Sequence, residues 1–187
     1  MATAPRADLH TAHREDTLMP AATKTPSASA VHDQVYQVFP NDLNANDTVF
    51  GGLIMAQMDR VCAVVAGRHA GGTVVTVSVD AVHFVLPARR GDVLILHATM
   101  NRAWRSSMEI GCKVEAESID GERRHILSAY CTFVATSRDG RPRAVPVLTP
   151  ETPVEKRRYA EADLRRQNRL RQAETLKASR TGTPATD

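Results

Sequence analysis

The sequence has few cysteines and almost no net charge, and each of these absences argues against a class of protein. Its three cysteines, Cys62, Cys112 and Cys131, lie far apart, are odd in number and form no C-x-x-C pair. This pattern favours neither a disulfide framework nor a zinc site, and it fits a reducing cytoplasm. The formal net charge of +3 comes from 24 basic and 21 acidic side chains, a balance that does not by itself indicate a nucleic-acid-binding protein.

A long apolar run is also missing. The longest uninterrupted one covers residues 61–66, whereas a helix needs roughly 20 apolar residues to span a bilayer. The first 30 residues lack the apolar core of a signal peptide, and Asp8, Glu15 and Asp16 weaken a mitochondrial-transit interpretation. We therefore expect a cytoplasmic protein without membrane insertion, and the sequence leaves open whether the leader is a targeting segment.

What is present is a chain of 187 residues, 42% of them hydrophobic, which is enough for one domain with a core. Residues 1–31 are rich in Ala, Thr, Pro and Ser and are predicted to be a disordered leader. A single domain is predicted over 32–148 and a charged, solvent-exposed C-terminal helix over 149–177. A disordered tail is predicted for 178–187.

The pattern within the domain predicts an α+β fold. A short strand over 34–39 precedes a polar loop, and an almost wholly apolar helix is predicted over 53–68, ended by a glycine pair. Four β-rich runs follow, separated by turn signals, over residues 73–86, 92–104, 107–117 and 124–136. We expect an antiparallel sheet around one central helix.

The polar loop before the helix resembles the start of a calcium-binding EF-hand loop, since Asn residues stand at its third and fifth positions. The sixth position is Asp47 instead of glycine, and the twelfth is Leu53 instead of glutamate. We interpret the loop as an Asx-rich turn that caps the helix. The seven histidines show no metal-ligand spacing outside the leader, so no metal site is predicted.

Gly51 and Gly52 stand where the apolar helix starts. The first N–H groups of a helix have no internal acceptor and lie at the positive end of its dipole, so a start without Cβ atoms can hold a developing oxyanion. A glycine pair alone is a weak signal, because it equally suits a flexible helix start.

Asp59 places a carboxylate within the apolar helix, where it needs a polar partner. It could simply pair with a sheet residue or a neighbouring chain. A functional role is constrained by spacing, because Gly51 and Asp59 lie about 12 Å apart along a helix. If both act on one substrate atom, they must come from different subunits of a homodimer.

Several separated motifs, in order, resemble the acyl-CoA thioesterases of the hotdog superfamily, and in particular the brain-type (cytosolic long-chain) acyl-CoA hydrolases. The resemblance covers roughly residues 33–172. Its motifs lie at residues 44–59, 75–84, 106–110, 140–146 and 149–159.

The resemblance implies a hotdog fold and hydrolysis of fatty acyl-CoA to a free acid and CoA. It places the catalytic carboxylate on Asp59 and the carbonyl-polarising N–H on Gly51, with Gly52 beside it. Thr48 departs from the pattern of some relatives, so no direct catalytic role is carried over to it. Phe50 stands where another hotdog branch has histidine, and that role is not transferred either.

The resemblance also implies an assembly. The brain-type animal enzymes resemble two hotdog domains in tandem, whereas this sequence has one. A trimer of hotdog dimers would then be a homohexamer, with the homodimer as the smallest active unit. No cofactor is expected, because CoA belongs to the substrate and product.

CoA phosphates call for arginines, and the candidate substrate contacts are polar residues near strand ends and turns. They are Asn44, Thr48, Ser78, Asp80, Arg105, Ser106, Ser107, Arg141 and Arg143. Each arginine could equally be a solvated surface residue. Met58, Cys62 and Phe84 are candidates for lining an acyl pocket, although such residues more often belong to the core.

The sequence is compatible with two roles for Asp59 in hydrolysis and with two functions other than hydrolysis. Asp59 could act as a general base on water or attack the thioester directly. A hotdog dehydratase would use a histidine such as His83, and a non-catalytic regulator would bind acyl-CoA without releasing thiol. The basic segment 156–180 lacks interleaved aromatic residues, so no nucleic-acid partner is predicted.

Overall fold

The computed structural model describes residues 22–181. Two helices, α1 (Gly51–Ala70) and α2 (Pro153–Thr181), accompany seven strands. The strands are β1 (Thr23–Lys24), β2 (Val31–Gln37), β3 (Val74–Val79), β4 (Val93–Ala103), β5 (Ser107–Glu117), β6 (Arg123–Ala135) and β7 (Val147–Leu148). Short 3-10 turns cover Pro26–Ala28 and Pro40–Asp42.

Five of the strands form one sheet in the order β2-β4-β5-β6-β3, and each neighbouring pair is antiparallel. In β5, Met108, Ile110, Cys112 and Val114 join the hydrophobic core while the residues between them face the other side. The period of two seen in the sequence therefore marks the inner face of the sheet.

Helix α1 lies against this inner face. Ile54, Met58, Cys62 and Val65 are at most 2% exposed and belong to the core. The helix ends where Gly71 takes a left-handed backbone conformation with φ 67°, which favours glycine. An antiparallel five-stranded sheet packed on a central helix confirms the predicted α+β class and agrees with the hotdog arrangement.

Helix α2 lies on the outer face of the sheet, because its partners Glu109 and Tyr130 alternate with core residues along β5 and β6. Glu109 is completely buried and accepts hydrogen bonds from Arg165 and Arg169. The expectation of a solvated helix is therefore wrong for the part of α2 that carries these arginines.

Several boundaries differ from the sequence-based ones. Strand β1 and the start of β2 lie within the segment predicted as a disordered leader, and β1 pairs in parallel with β7. Helix α1 begins two residues before and ends two residues after its predicted bounds, and α2 runs to Thr181 instead of ending at 177. The rest of the predicted leader and tail, 1–21 and 182–187, lies outside the described residues.

No helix within residues 22–181 is long and apolar enough to cross a bilayer.

Candidate functional site

The loop before α1 is organised by Asn44. Its Oδ1 accepts the Asn46 N–H at 2.8 Å, and its Nδ2 donates to Thr48 Oγ1 at 2.9 Å. The main chain closes the same loop, since Asn44 N–H donates to the Thr48 carbonyl at 2.8 Å. The predicted Asx-rich turn is thus present, but it does not cap α1, which has Phe50 at its N-cap and no side-chain cap.

The glycine pair forms the first turn of α1. The Phe50 carbonyl accepts N–H groups from Leu53 at 2.9 Å and Ile54 at 3.4 Å, whereas the N–H groups of Gly51 and Gly52 come too early for an intrahelical acceptor. A Cβ at Gly51 would lie 3.3 Å from the Phe84 ring, and one at Gly52 would collide with the Phe50 ring. Both glycines thus lie against the rings of exposed phenylalanines, Phe84 and Phe50.

A cavity of about 310 Å³ opens at this helix start. Asn44, Thr48, Gly51 and Phe84 all line it, together with apolar residues such as Ile54. The fold therefore brings together four of the predicted site residues, with backbone N–H groups at the positive end of a helix.

Asp59 lies two turns further along α1 and is partly exposed. Its Oδ1 accepts a hydrogen bond from Thr76 Oγ1 at 2.8 Å. Since Gly51 and Asp59 lie on one continuous helix, the separation of about 12 Å expected from the rise per residue holds within one subunit.

Thr76 is a residue that the sequence analysis did not single out. It lies on β3 opposite Phe133 of β6, and its hydroxyl orients the Asp59 carboxylate. Thr76 stands within a valine-rich run, and a threonine there is typical of an ordinary strand position. The sequence therefore does not mark it as a site residue.

Met58 and Cys62 lie in the core and are absent from the lining of the cavity at Gly51. Hydrogen bonding to Cys112 and Cys131, followed by burial, raises the pKa of the Cys62 thiol. All three cysteines are free thiols and buried. Of the predicted acyl-pocket residues, Phe84 alone borders this cavity.

Ser78 and Asp80 lie at the end of β3. Ser78 is partly buried and pairs with Thr132 of β6. Both carboxylate oxygens of Asp80 accept hydrogen bonds from Arg169 Nη1, at 3.0 and 2.7 Å. In this chain the Asp80 carboxylate is therefore directed towards α2.

The predicted CoA-binding arginines lie near the other end of α1. Arg143 donates to the Ala70 carbonyl at 2.9 Å, and Arg141 pairs with Asp139 at 3.2 Å. Arg105 and Ser106 lie in the turn between β4 and β5, and Ser107 begins β5. The Arg105 carbonyl accepts the Val145 N–H. A 20-residue helix is about 30 Å long, so these residues do not border the cavity at Gly51 of their own subunit.

An apolar surface adjoins Asp59. Strand β3 is an edge of the sheet, and its Val75, Val77 and Val79 are 43–54% exposed. On α1, Met55 and Val64 are 41% and 46% exposed. Met55 lies one turn before Asp59 on the same side of α1, whereas Val64 projects from the opposite side. An edge strand with exposed apolar side chains is typical of a surface that pairs with another chain.

Within residues 22–181 no group of three or more His, Cys, Asp or Glu side chains could hold a metal ion. His83, the candidate for a dehydratase, is exposed in the loop that follows β3.

Comparison with known proteins identifies related sequences. The sequence profile of the thioesterase superfamily matches residues 46–121. The YkhA protein of Bacillus subtilis, described as an uncharacterized acyl-CoA thioester hydrolase, is 36% identical over 144 residues, which are 75% of this chain and 84% of that protein. The human cytosolic acyl coenzyme A thioester hydrolase is 38% identical over 130 residues, 68% of this chain, but the match spans only 34% of that longer relative.

Solved structures of acyl-CoA thioesterases are similar to this chain as well. A hexameric acyl-CoA thioesterase without ligand has a TM-score of 0.78 at 35% identity, covering 81% of this chain and 97% of that one. The acyl-CoA hydrolase of Staphylococcus aureus in complex with butyryl coenzyme A and coenzyme A has a TM-score of 0.75 at 36% identity, covering 85% and 96%.

Further structures of the S. aureus hydrolase carry single alanine replacements of an asparagine, an aspartate and a threonine. In that chain the three residues lie 15 and 17 positions apart, in that order. Asn44, Asp59 and Thr76 lie 15 and 17 positions apart here. The loop, helix and strand residues described above thus share residue types and spacing with the three positions altered in that enzyme.

Proposed function

This chain belongs to the thioesterase superfamily, and we propose on that premise that it hydrolyses fatty acyl-CoA thioesters to a free acid and CoA. The observation that carries the proposal is the shared spacing of Asn44, Asp59 and Thr76 with the residues replaced in the S. aureus hydrolase. Two of the three are in direct contact, Thr76 with Asp59 at 2.8 Å. Asn44 lines the cavity at the start of α1.

The reaction is divided between two subunits. Gly51 and Asp59 are too far apart on one helix to contact the same thioester. The exposed valines of the edge strand β3 and the exposed Met55, one turn from Asp59, support a two-fold dimer in which Asp59 of one subunit faces Gly51 of its partner. Such a dimer has two equivalent sites.

In each site Asp59, ionised, takes a proton from a water molecule as the water oxygen attacks the thioester carbon. Negative charge develops on the carbonyl oxygen, where the N–H of the partner's Gly51, with Gly52 beside it, donates a hydrogen bond. The intermediate collapses, the C–S bond breaks, and the leaving CoA thiolate takes up the proton held by Asp59, which restores the carboxylate. Thr76 holds the Asp59 carboxylate in position through its hydroxyl.

Direct attack by Asp59 would instead form an acyl anhydride on the carboxylate. A single turnover in H₂¹⁸O identifies the second route when water attacks the anhydride at the Asp59 carbon, since attack at the substrate acyl carbon labels the released acid as general-base catalysis does. General-base catalysis places ¹⁸O in the released acid. Nucleophilic attack, followed by attack of water on the Asp59 carboxyl carbon of the anhydride, places ¹⁸O in the Asp59 side chain. Mass spectrometry of the protein detects this label.

The main test measures thiol release from palmitoyl-CoA by wild type and by Asp59→Asn. We expect kcat to fall by about 100-fold or more, since general-base catalysis contributes roughly 10²–10⁴. Thr76→Val should cost less, because it removes only the group that orients the carboxylate. Wild-type kcat in Asp59→Asn would rule out the assignment, and binding of palmitoyl-CoA without thiol release by wild type would identify a regulator instead.

Mixed dimers test whether each site combines Asp59 of one subunit with Gly51 of its partner. Asp59→Asn chains and Gly51→Val chains are each expected to be inactive. Refolding them together at equal concentration produces about half mixed dimers, each with one intact site, so about a quarter of wild-type activity should return. No recovery, with mixed dimers present by native mass spectrometry, would place both residues in one subunit's site.

The wider proposal is a cytoplasmic homohexamer built as a trimer of such dimers, without a cofactor. The named hexameric neighbour supports the assembly, and the name of the human relative supports the compartment. If Arg105, Ser106, Ser107, Arg141 and Arg143 contact CoA, the contact must come from a neighbouring subunit, because these residues lie near the far end of α1.

A further inference from the structure

A second cavity, of about 560 Å³, adjoins the one at Gly51 and shares two lining residues with it, Leu86 and Pro87. Its other walls carry three arginines, Arg89, Arg90 and Arg124. The two cavities therefore follow one another along the segment after Phe84. The first is mainly apolar and meets the helix start, and the second is rich in cations.

The turn that carries these arginines is held firmly. The Asp92 carboxylate, in a residue only 4% exposed, accepts the Arg89 N–H at 2.8 Å and Arg124 Nη2 at 2.7 Å. Gly91 has φ 83°, which completes the turn. The charge of Arg124 is thus balanced by Asp92, while the side chains of Arg89 and Arg90 extend outwards from a fixed main chain.

The guanidinium groups of Arg89 and Arg90 can bind an anion, because neither is held in a strong ion pair. Within residues 22–181 the Arg89 guanidinium has no ion-pair or hydrogen-bond partner. Arg90 pairs with Asp47 at 3.3 Å, with the two side chains 61% and 84% exposed. An ion pair this exposed is weak, so a phosphate could replace the Asp47 carboxylate. Glu122 is the remaining acidic residue in the lining, and it is exposed.

We propose that Arg89 and Arg90 bind the phosphate groups of the nucleotide part of CoA, with Arg90 exchanging Asp47 for a phosphate oxygen. The acyl thioester then reaches the cavity at Gly51 of the same subunit, past Leu86 and Pro87. This inference rests on the proposed thioesterase function. It assigns the phosphates to residues close to the cavity instead of to Arg105, Arg141 or Arg143.

The test compares two thioesters of the same acyl group. One is the CoA ester, and the other is the N-acetylcysteamine ester, which has the thioester but no phosphate. For Arg89→Ala and Arg90→Ala we expect KM for the CoA ester to rise about threefold to tenfold each. For both variants, kcat with the CoA ester and kcat/KM with the N-acetylcysteamine ester should stay at the wild-type values.

Arg171→Ala is the matched control, because it removes the same charge from an exposed position on α2. It should leave both substrates unaffected. Glu122→Gln removes the opposing charge and should lower KM for the CoA ester. Calorimetric titration with free CoA repeats the comparison without turnover, and its affinity should fall in Arg89→Ala and Arg90→Ala.

The outcomes separate this inference from the function itself. If wild type hydrolyses neither ester, the proposed function fails. If it hydrolyses the CoA ester but Arg89→Ala and Arg90→Ala leave KM and CoA affinity unchanged, the function stands and the phosphate site is wrong. An equal loss with both esters, or a rise in KM confined to Arg105→Ala, would also overturn the site.

Discussion

The two helices pack on opposite faces of one sheet by different physical means. Helix α1 contributes apolar side chains such as Met58 and Cys62 to the core. Helix α2 buries only Ala162 among its hydrophobic residues and is held by charge: Arg165 and Arg169 contact Glu109, while the Arg165 guanidinium lies 3.6 Å from the centre of the Tyr130 ring. Apolar burial is non-directional, whereas charge-assisted hydrogen bonds and cation–π contacts depend on the geometry of their partners.

Among the substitutions that test this difference between the helices, removal of Glu109 should lower the free energy of unfolding most. Glu109→Ala leaves Arg165 and Arg169 facing a buried surface without their shared acceptor, and we expect a loss of about 3–5 kcal/mol in the free energy of unfolding. Urea denaturation measures it. Glu109→Gln keeps the shape and the oxygen acceptor and should lose less. Equal stability of Glu109→Ala and wild type would mean that α2 is not held by this network.

The next largest loss of stability is expected when a core side chain of α1 is shortened. Met58 is 1% exposed, so Met58→Ala removes buried methylenes and leaves a cavity, at a cost of about 2–5 kcal/mol. Met58→Leu keeps most of the volume and should cost less than about 1.5 kcal/mol. The same denaturation experiment checks both, and a Met58→Ala variant as stable as Met58→Leu would contradict the packing of α1.

Charging the exposed apolar surface beside α1 should act on association instead of folding. Val77 is 54% exposed on the edge strand, so Val77→Asp leaves the subunit folded. It would bury a carboxylate in the proposed dimer, weakening association by about 2–3 kcal/mol. Sedimentation velocity should show dissociation together with loss of thiol release. Ile119→Asp, on a fully exposed turn, should leave association unchanged.

The smallest expected effect is a pH dependence at the end of α1. Burial, partly opposed by the hydrogen bond to the Pro146 carbonyl, lowers the pKa of His69 below its ordinary value of 6.5. The unfolded chain therefore binds more protons than the folded one below about pH 6.5, so stability falls as pH drops through this range. His69→Gln keeps a donor but does not titrate, and its unfolding free energy should vary less between pH 7.5 and 5.5. An unchanged pH dependence would assign it to other groups.

The central helix and sheet were predictable because their patterns are strong and local. Nearly continuous apolar residues over 53–68 and the alternation along 107–117 read directly as a buried helix and a half-buried strand. The ordered segment that contains β1 was not predictable, since two residues that pair in parallel with β7 carry no periodic signal. Likewise, the arginines of α2 look solvated until Glu109 is seen beneath them.

The α+β class and the distance between Gly51 and Asp59 follow from the sequence alone, because residue periodicity and helical rise decide them. The glycine pair at the helix start is read directly from the sequence. Which side chains meet depends on the folded arrangement of the whole chain. It brought Thr76 to Asp59 across 17 positions and Asn44 to the cavity at Gly51, and it directed Asp80 to Arg169. Such contacts depend on strand register and on the packing of distant segments, which no local pattern encodes.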